Sequence, residues 1–161
     1  IALGDALAVA LLESKGFKAD HFKVFHPGGK LGAMLRTAGD VMHTSTELPI
    51  VPSGAAFIDG VKAMTAKGFG VLGVVHSDGT LAGLVTDGDL RRLIEKGADL
   101  RSLNARDVMH PHPRTIRVDA LAVEAAEMME QGRITSILVI DEAGCLCGAL
   151  NTNDLMRAKV I

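Results

Sequence analysis

The chain has 161 residues, a net charge of −2 and no basic run, which argues against a nucleic-acid phosphate backbone as partner. Aromatics make up only 3%, with no Trp or Tyr, so base stacking is nearly unavailable and the core must come from Val, Leu, Ile, Met and Ala. Mean hydropathy is +0.27, yet no uncharged apolar run approaches a membrane span, which points to strands buried on both faces and an oligomer interface.

In chain order, Leu3 to Lys15 is a helix candidate, because Leu3, Leu7, Ala10 and Leu11 share one stripe and Gly16 stops it. The opening Ile1-Ala-Leu, already helical in pattern and without an initiating Met or a signal peptide, reads as a piece of a longer cytoplasmic protein. A short helix is expected from Asp20 to Val24. In Phe25-His-Pro-Gly-Gly-Lys-Leu-Gly32, Pro27 and the paired glycines forbid a regular element and hold His26 on a tight turn. Consecutive glycines let backbone N–H groups approach an anion, although a plain connector with a satisfied histidine fits the same residues.

From residue 37 a repeat begins. Asp40-Val-Met-His43 recurs as Asp107-Val-Met-His110, and Val51 recurs as Val118. Each copy predicts a helical turn ending at Met42 or Met109, then an extended segment (Leu48 to Val51; Thr115 to Val118). An amphipathic helix follows, Ala55 to Lys67 or Leu121 to Gln131. Two strands come next, Val71 to Val75 with Leu81 to Val85, and Ser136 to Ile140 with Cys145 to Leu150. A closing helix starts at Asp87 or Thr152. The strands lack polar alternation and should be covered on both faces, so two βαββα units should pack together, leaving clefts between them.

The ends of the units carry the candidate site. Leu81-Ala-Gly-Leu-Val-Thr-Asp-Gly-Asp-Leu90 is echoed by Leu146-Cys-Gly-Ala-Leu-Asn-Thr-Asn-Asp-Leu155. Thr86, Asp87 and Asp89, and Asn151 and Asp154, would sit where a strand enters a helix. Unpaired N–H groups there suit a phosphate, and a carboxylate suits a ribose hydroxyl pair. The same residues also fit helix capping. Arg133 and Thr135, leading into the next strand, fit a contact with a phosphate or base, although Thr135 fits a plain strand residue equally well. Arg91 and Arg92 fit either a phosphate counter-charge or a solvated helix face. His110-Pro-His112-Pro reads as an extended linker, and Cys145 and Cys147 as free thiols, with no metal site expected from either.

The doubled Gly-x-h-(Thr/Asn)-x-x-Asp-Leu ending resembles tandem cystathionine-β-synthase (CBS) domains, a Bateman module. The resemblance implies an α/β (α+β) fold, with repeats over 37–98 and 99–161. It also implies nucleotide binding between them, with phosphate and ribose held at Thr86 and Asp89; Asn151 departs from the hydroxyl residue, while Asp154 is in place. Leu3-Gly-Asp-Ala-Leu-Ala8 with the His-Pro-Gly-Gly turn looks like the end of a sugar isomerase (SIS) domain over 1–36. Joined to Thr-Asp-Gly-Asp-Leu-Arg-Arg92, it is similar to bacterial D-arabinose-5-phosphate isomerases, which interconvert ribulose 5-phosphate and arabinose 5-phosphate on the way to the lipopolysaccharide sugar Kdo. By that resemblance His26 belongs to the active site of the full-length parent, whose other catalytic groups lie upstream, so this chain alone should be inactive. No cofactor is required. The expected partners are a regulatory nucleotide (CMP-Kdo, AMP or ATP) and a second copy through the CBS pairs, with a tetramer for the parent. Nucleic acid and membrane are not expected. The alternative is a structural, oligomerising module without a ligand.

Overall fold

A computed structural model describes residues 2–16 and 30–161. The elements are α1 (Ala2–Ser14), α2 (Lys30–Met34), α3 (Ala38–Val41), β1 (Ile50–Pro52), α4 (Phe57–Lys67), β2 (Val71–Val75), β3 (Leu81–Thr86) and α5 (Asp87–Glu95). They continue as α6 (Ala105–Val108), β4 (His110–Pro111), β5 (Thr115–Arg117), α7 (Ala122–Gly132), β6 (Ser136–Ile140), β7 (Leu146–Asn151) and α8 (Thr152–Arg157). The fold is mixed α+β. One sheet has the order β1-β2-β3-β4 and the other β5-β6-β7. In each, the first strand runs parallel to the second and the second pairs antiparallel with the third, so β-α-β-β-α is traced twice.

The apolar runs predicted to be covered on both faces are so covered. Leu72, Val74 and Val85 pack with Phe57 and Met64 in one core, while Ile137, Val139 and Leu150 pack with Ala125 and Met129 in the other. A third cluster, Leu48, Phe69, Val71, Leu138 and Ala149, lies between the sheets. There the Ser136 hydroxyl donates to the Phe69 carbonyl at 2.7 Å. The hairpin tips are also joined, by Leu81 N–H to the Gly144 carbonyl at 3.1 Å and Leu146 N–H to the Gly79 carbonyl at 3.2 Å.

The repeats exchange their opening turns. Ala38, in the first repeat by sequence, is fully buried in the core of the second, with Val41 and Met42 beside it. Ala105 is fully buried in the core of the first, with Val108 and Met109. Backbone bonds seat both turns: Ala38 N–H to the Ala120 carbonyl at 2.8 Å, and Ala105 N–H to the Ala55 carbonyl at 3.0 Å. Each core is therefore completed by residues from the other repeat.

Several local expectations shift. The first extended segment is delayed to Ile50 by a 3-10 turn at Ser45–Glu47. His110–Pro111, read as linker, is a short strand whose residues pair with Leu84 and Gly83. Lys30 to Gly32, expected in the irregular turn, begin α2. The helix expected from Asp20 and the turn carrying His26 fall outside the described residues. In α1, Leu3, Leu7 and Leu11 are all exposed, as are its other described residues.

Gly83 marks where the exchanged strand presses closest. A Cβ built there would lie 2.8 Å from the His110 carbonyl oxygen and 2.7 Å from the Met109 sulfur. The carbonyl belongs to backbone and cannot rotate away. Gly83→Ala should destabilise the chain by about 1–3 kcal/mol, read as a lower urea midpoint. An unchanged midpoint would mean that β4 moves off the sheet without cost.

Candidate functional site

The strand-to-helix junctions at Thr86 and Asn151 are full capping boxes. Thr86 N–H donates to Asp89 Oδ2 at 2.8 Å, and Asp89 N–H donates to the Thr86 hydroxyl oxygen at 3.2 Å. The Thr86 hydroxyl donates in turn to Oδ2 at 2.7 Å. Asn151 N–H donates to Asp154 Oδ2 at 2.9 Å, and Asp154 N–H to Asn151 Oδ1 at 3.1 Å. Each box satisfies donors that a helix start otherwise leaves without partners. Both readings of the sequence pattern thus act on the same residues, and capping is the one visible in the bonds.

The remaining oxygen of each acid faces a histidine from the other repeat. His110 Nε2 donates to Asp89 Oδ1 at 2.7 Å, and Arg92 also donates to that oxygen. His43 Nε2 donates to Asp154 Oδ1 at 2.9 Å, with Arg157 at 3.6 Å. Asp89 and Asp154 are 6% and 4% exposed, so their ionised forms depend on these partners. Burial alone would push the Asp89 carboxyl up. The Thr86 hydroxyl, the His110 ring, the Thr86 N–H and Arg92 outweigh it and hold the group well below the usual carboxylate range. For His43, the bond to Asp154 raises the imidazole above its ordinary 6.5 against partial burial, and Glu47 on Nδ1 at 3.1 Å adds to it.

A cleft of about 450 Å³ opens between the repeats beside the Thr86 junction. Thr86, Asp87 and Gly70 line one wall, and Arg114, Arg133 and Thr135 the other, over a floor that includes Val71, Leu84 and Leu138. Four of the sequence-predicted residues therefore meet here. Asp89 lies behind Thr86 rather than in the lining. Asp154 instead borders a separate hollow of about 200 Å³ with Arg36, Asp40, His43 and Arg157. Arg92, on the exposed face of α5, bonds Asp89. His26 lies outside the described residues. Among the described residues, no group of three or more His, Cys, Asp or Glu is placed to hold a metal, and no helix is long and apolar enough to cross a membrane.

Sequence reasoning passed over His43, His110 and Arg114. The two histidines had a signal, the exact recurrence of Asp-Val-Met-His, but nothing local said that each would cross to the other repeat's acid. Arg114 follows two prolines at positions 111 and 113 and was hidden in an apparent linker.

The sequence model of the CBS domain family matches residues 38–96 and 105–161. Over its whole length the chain is 44% identical to arabinose 5-phosphate isomerase KdsD of Pseudomonas aeruginosa and 42% identical to that of Escherichia coli. It covers 50% and 49% of those proteins, so it spans about half the length of the curated relatives it matches. In structure it is similar to CBSX2 in complex with AMP, with a TM-score of 0.67 and 27% identity over 77% of this chain and 96% of that one. CBSX2 from Arabidopsis thaliana gives a TM-score of 0.64 at 26% identity, over 77% and 94%.

The raised His43 sets a pH dependence. A group whose value is higher folded than unfolded contributes in full below the unfolded value and loses its contribution as pH rises through the folded one. The melting-temperature gap between the native chain and His43→Gln should therefore be widest near pH 6 and narrow above it. A gap of constant width up to about pH 8 would show that His43 is not charged against Asp154 in the native fold.

Proposed function

The chain belongs to the CBS domain family, with two copies in tandem, and on that premise we propose that the pair is the nucleotide-sensing regulatory half of an arabinose 5-phosphate isomerase. The relatives at 42% and 44% identity carry that activity in their names, and CBSX2 was solved with AMP. The observation that carries the reading is the inter-repeat cleft, where a helix start and two arginines face each other across an apolar floor. In this reading Thr86, Asp87, Arg133 and Thr135 touch the ligand. Asp89 orients Thr86, and reaches a ribose hydroxyl only if His110 or Arg92 gives way. Asn151 and Asp154 hold the corresponding positions at the second junction. The ligand is CMP-Kdo, the activated end product of the pathway, or an adenine nucleotide.

The parent would carry its catalytic SIS domain ahead of the pair, with residues 1–36 as that domain's end and His26 in its active site. The exposed leucines of α1 support this, because an apolar stripe left in water calls for a surface to cover it. Repeats over 37–98 and 99–161 would pair two copies of the chain, and the parent would be a tetramer. The second reading, a structural module without a ligand, is favoured by the engagement of both buried acids in the fold itself.

Thermal melting and calorimetry with AMP, ATP and CMP-Kdo separate the two. A true ligand at a hundredfold excess over its Kd should stabilise the chain by about 2.7 kcal/mol. Thr135→Glu, which sets a negative charge on an exposed position of the cleft, should remove that gain. The chain alone should show no isomerase turnover. Identical melting with and without every nucleotide would leave only the structural reading.

A further inference from the structure

We propose that the two repeats have diverged into one phosphate-binding cleft and one counterpart without its cations, and that Arg114 and Arg133 make the difference. The inference rests on the nucleotide reading above and adds to it which residues hold the phosphate and how many ligands each chain takes. It comes from laying one repeat on the other. The register that sets Asp40, His43 and Val51 on Asp107, His110 and Val118 sets Glu47 on Arg114. The register of the following helix, Met64 on Met129, sets Gly68 on Arg133 and Phe69 on Ile134. Two cations of the open cleft thus answer to an acid and a glycine.

Arg133 occupies an unusual backbone position. It ends α7 with φ 50° and ψ 42°, the left-handed conformation, and Gly68 ends α4 in the same way with φ 67° and ψ 20°. Glycine takes that conformation freely, whereas a side chain is strained by it. The second repeat accepts the strain and gains a guanidinium on the cleft wall. Arg114 is brought to the same wall. A Cβ at Gly132 would lie 2.9 Å from its Nη1, so its guanidinium rests against the backbone one residue before Arg133. Neither arginine has an ion-pair partner among the described residues, and both line the cleft. Across the cleft stands the Asp87 carboxylate. Two unpaired cations facing one acid suit a nucleoside phosphate, with phosphate on the arginines and ribose hydroxyls on the acid.

The counterpart positions carry no cation: Glu47, its side chain 64% exposed, stands for Arg114, and Gly68, with nothing within 4 Å of a Cβ built on it, stands for Arg133. Glu47 accepts from His43 Nδ1 at 3.1 Å. Phe69, 7% exposed, lies in the cluster between the sheets, and its ring meets the His43 ring edge-on at 5.2 Å.

Calorimetry with AMP, ATP, CMP-Kdo and adenosine on this chain, its Arg133→Gly variant and its Arg114→Glu variant tests the proposal. One nucleotide per chain is expected. Arg133→Gly should weaken nucleotide binding at least about tenfold, the loss of a charge-assisted bond. It should leave the melting temperature equal or higher, because glycine relieves the backbone, and leave adenosine binding nearly unchanged. Arg114→Glu should weaken nucleotide binding further. Two equivalent sites per chain, or native affinity in both variants, would overturn the assignment while leaving a nucleotide sensor standing. No heat from any of the three nucleotides would overturn the sensor reading beneath it as well.

Discussion

The fold depends on a crossed pair of acid–imidazole contacts. Asp89 closes the first repeat and is held by His110 of the second, while Asp154 closes the second and is held by His43 of the first. Both carboxylates are nearly sealed from water, where an ionised group without partners is costly. Each acid also ties down the start of its own helix through the capping box. The histidines arrive on backbone that follows directly from the exchanged turns, α3 and α6. Position, charge and chain path are thus settled together, and removing one turn would strip an acid of its partner and a core of its alanine.

The cleft follows from that arrangement. The exchanged turns bring the two sheets together, with Phe69, Val71, Leu138 and Ala149 between them. The strand ends then open toward a space walled by Thr86 and Asp87 on one side and Arg133 and Thr135 on the other. Thr86 on that wall is held from behind by Asp89. The near-twofold relation stops short of the side chains. Glu47 stands where the other repeat has Arg114, and Phe69 where it has Ile134.

What was legible in the sequence was what is local. Val71 to Val75 and Ile137 to Ile140 are apolar without alternation, and the Asp-Gly and Ala-Gly turns after them leave little freedom in reading hairpins. The closing helices were visible because a capping box is written in four consecutive residues. Four of the predicted site residues line one cleft because the repeat carried its own alignment. The exchange of the opening turns was not legible. His43 meets an acid 111 residues away, and no pattern within a window of sequence encodes such a contact. His110 illustrates the same limit: two prolines disguised a strand residue as linker, since proline at a sheet edge and proline in a loop look alike without the neighbouring strand.

The exchanged turns also bear on how such a chain can change over generations. A gene that arose by copying one unit could at first lose either copy and return to its ancestor. Once each half shelters a piece of its twin, deletion of one strands the other with an empty slot and an unaccompanied acid, so the duplication becomes irreversible. From then on the two halves are inherited as a single object. Point changes that set them apart, such as Gly68 against Arg133, can accumulate without the pair ever coming apart.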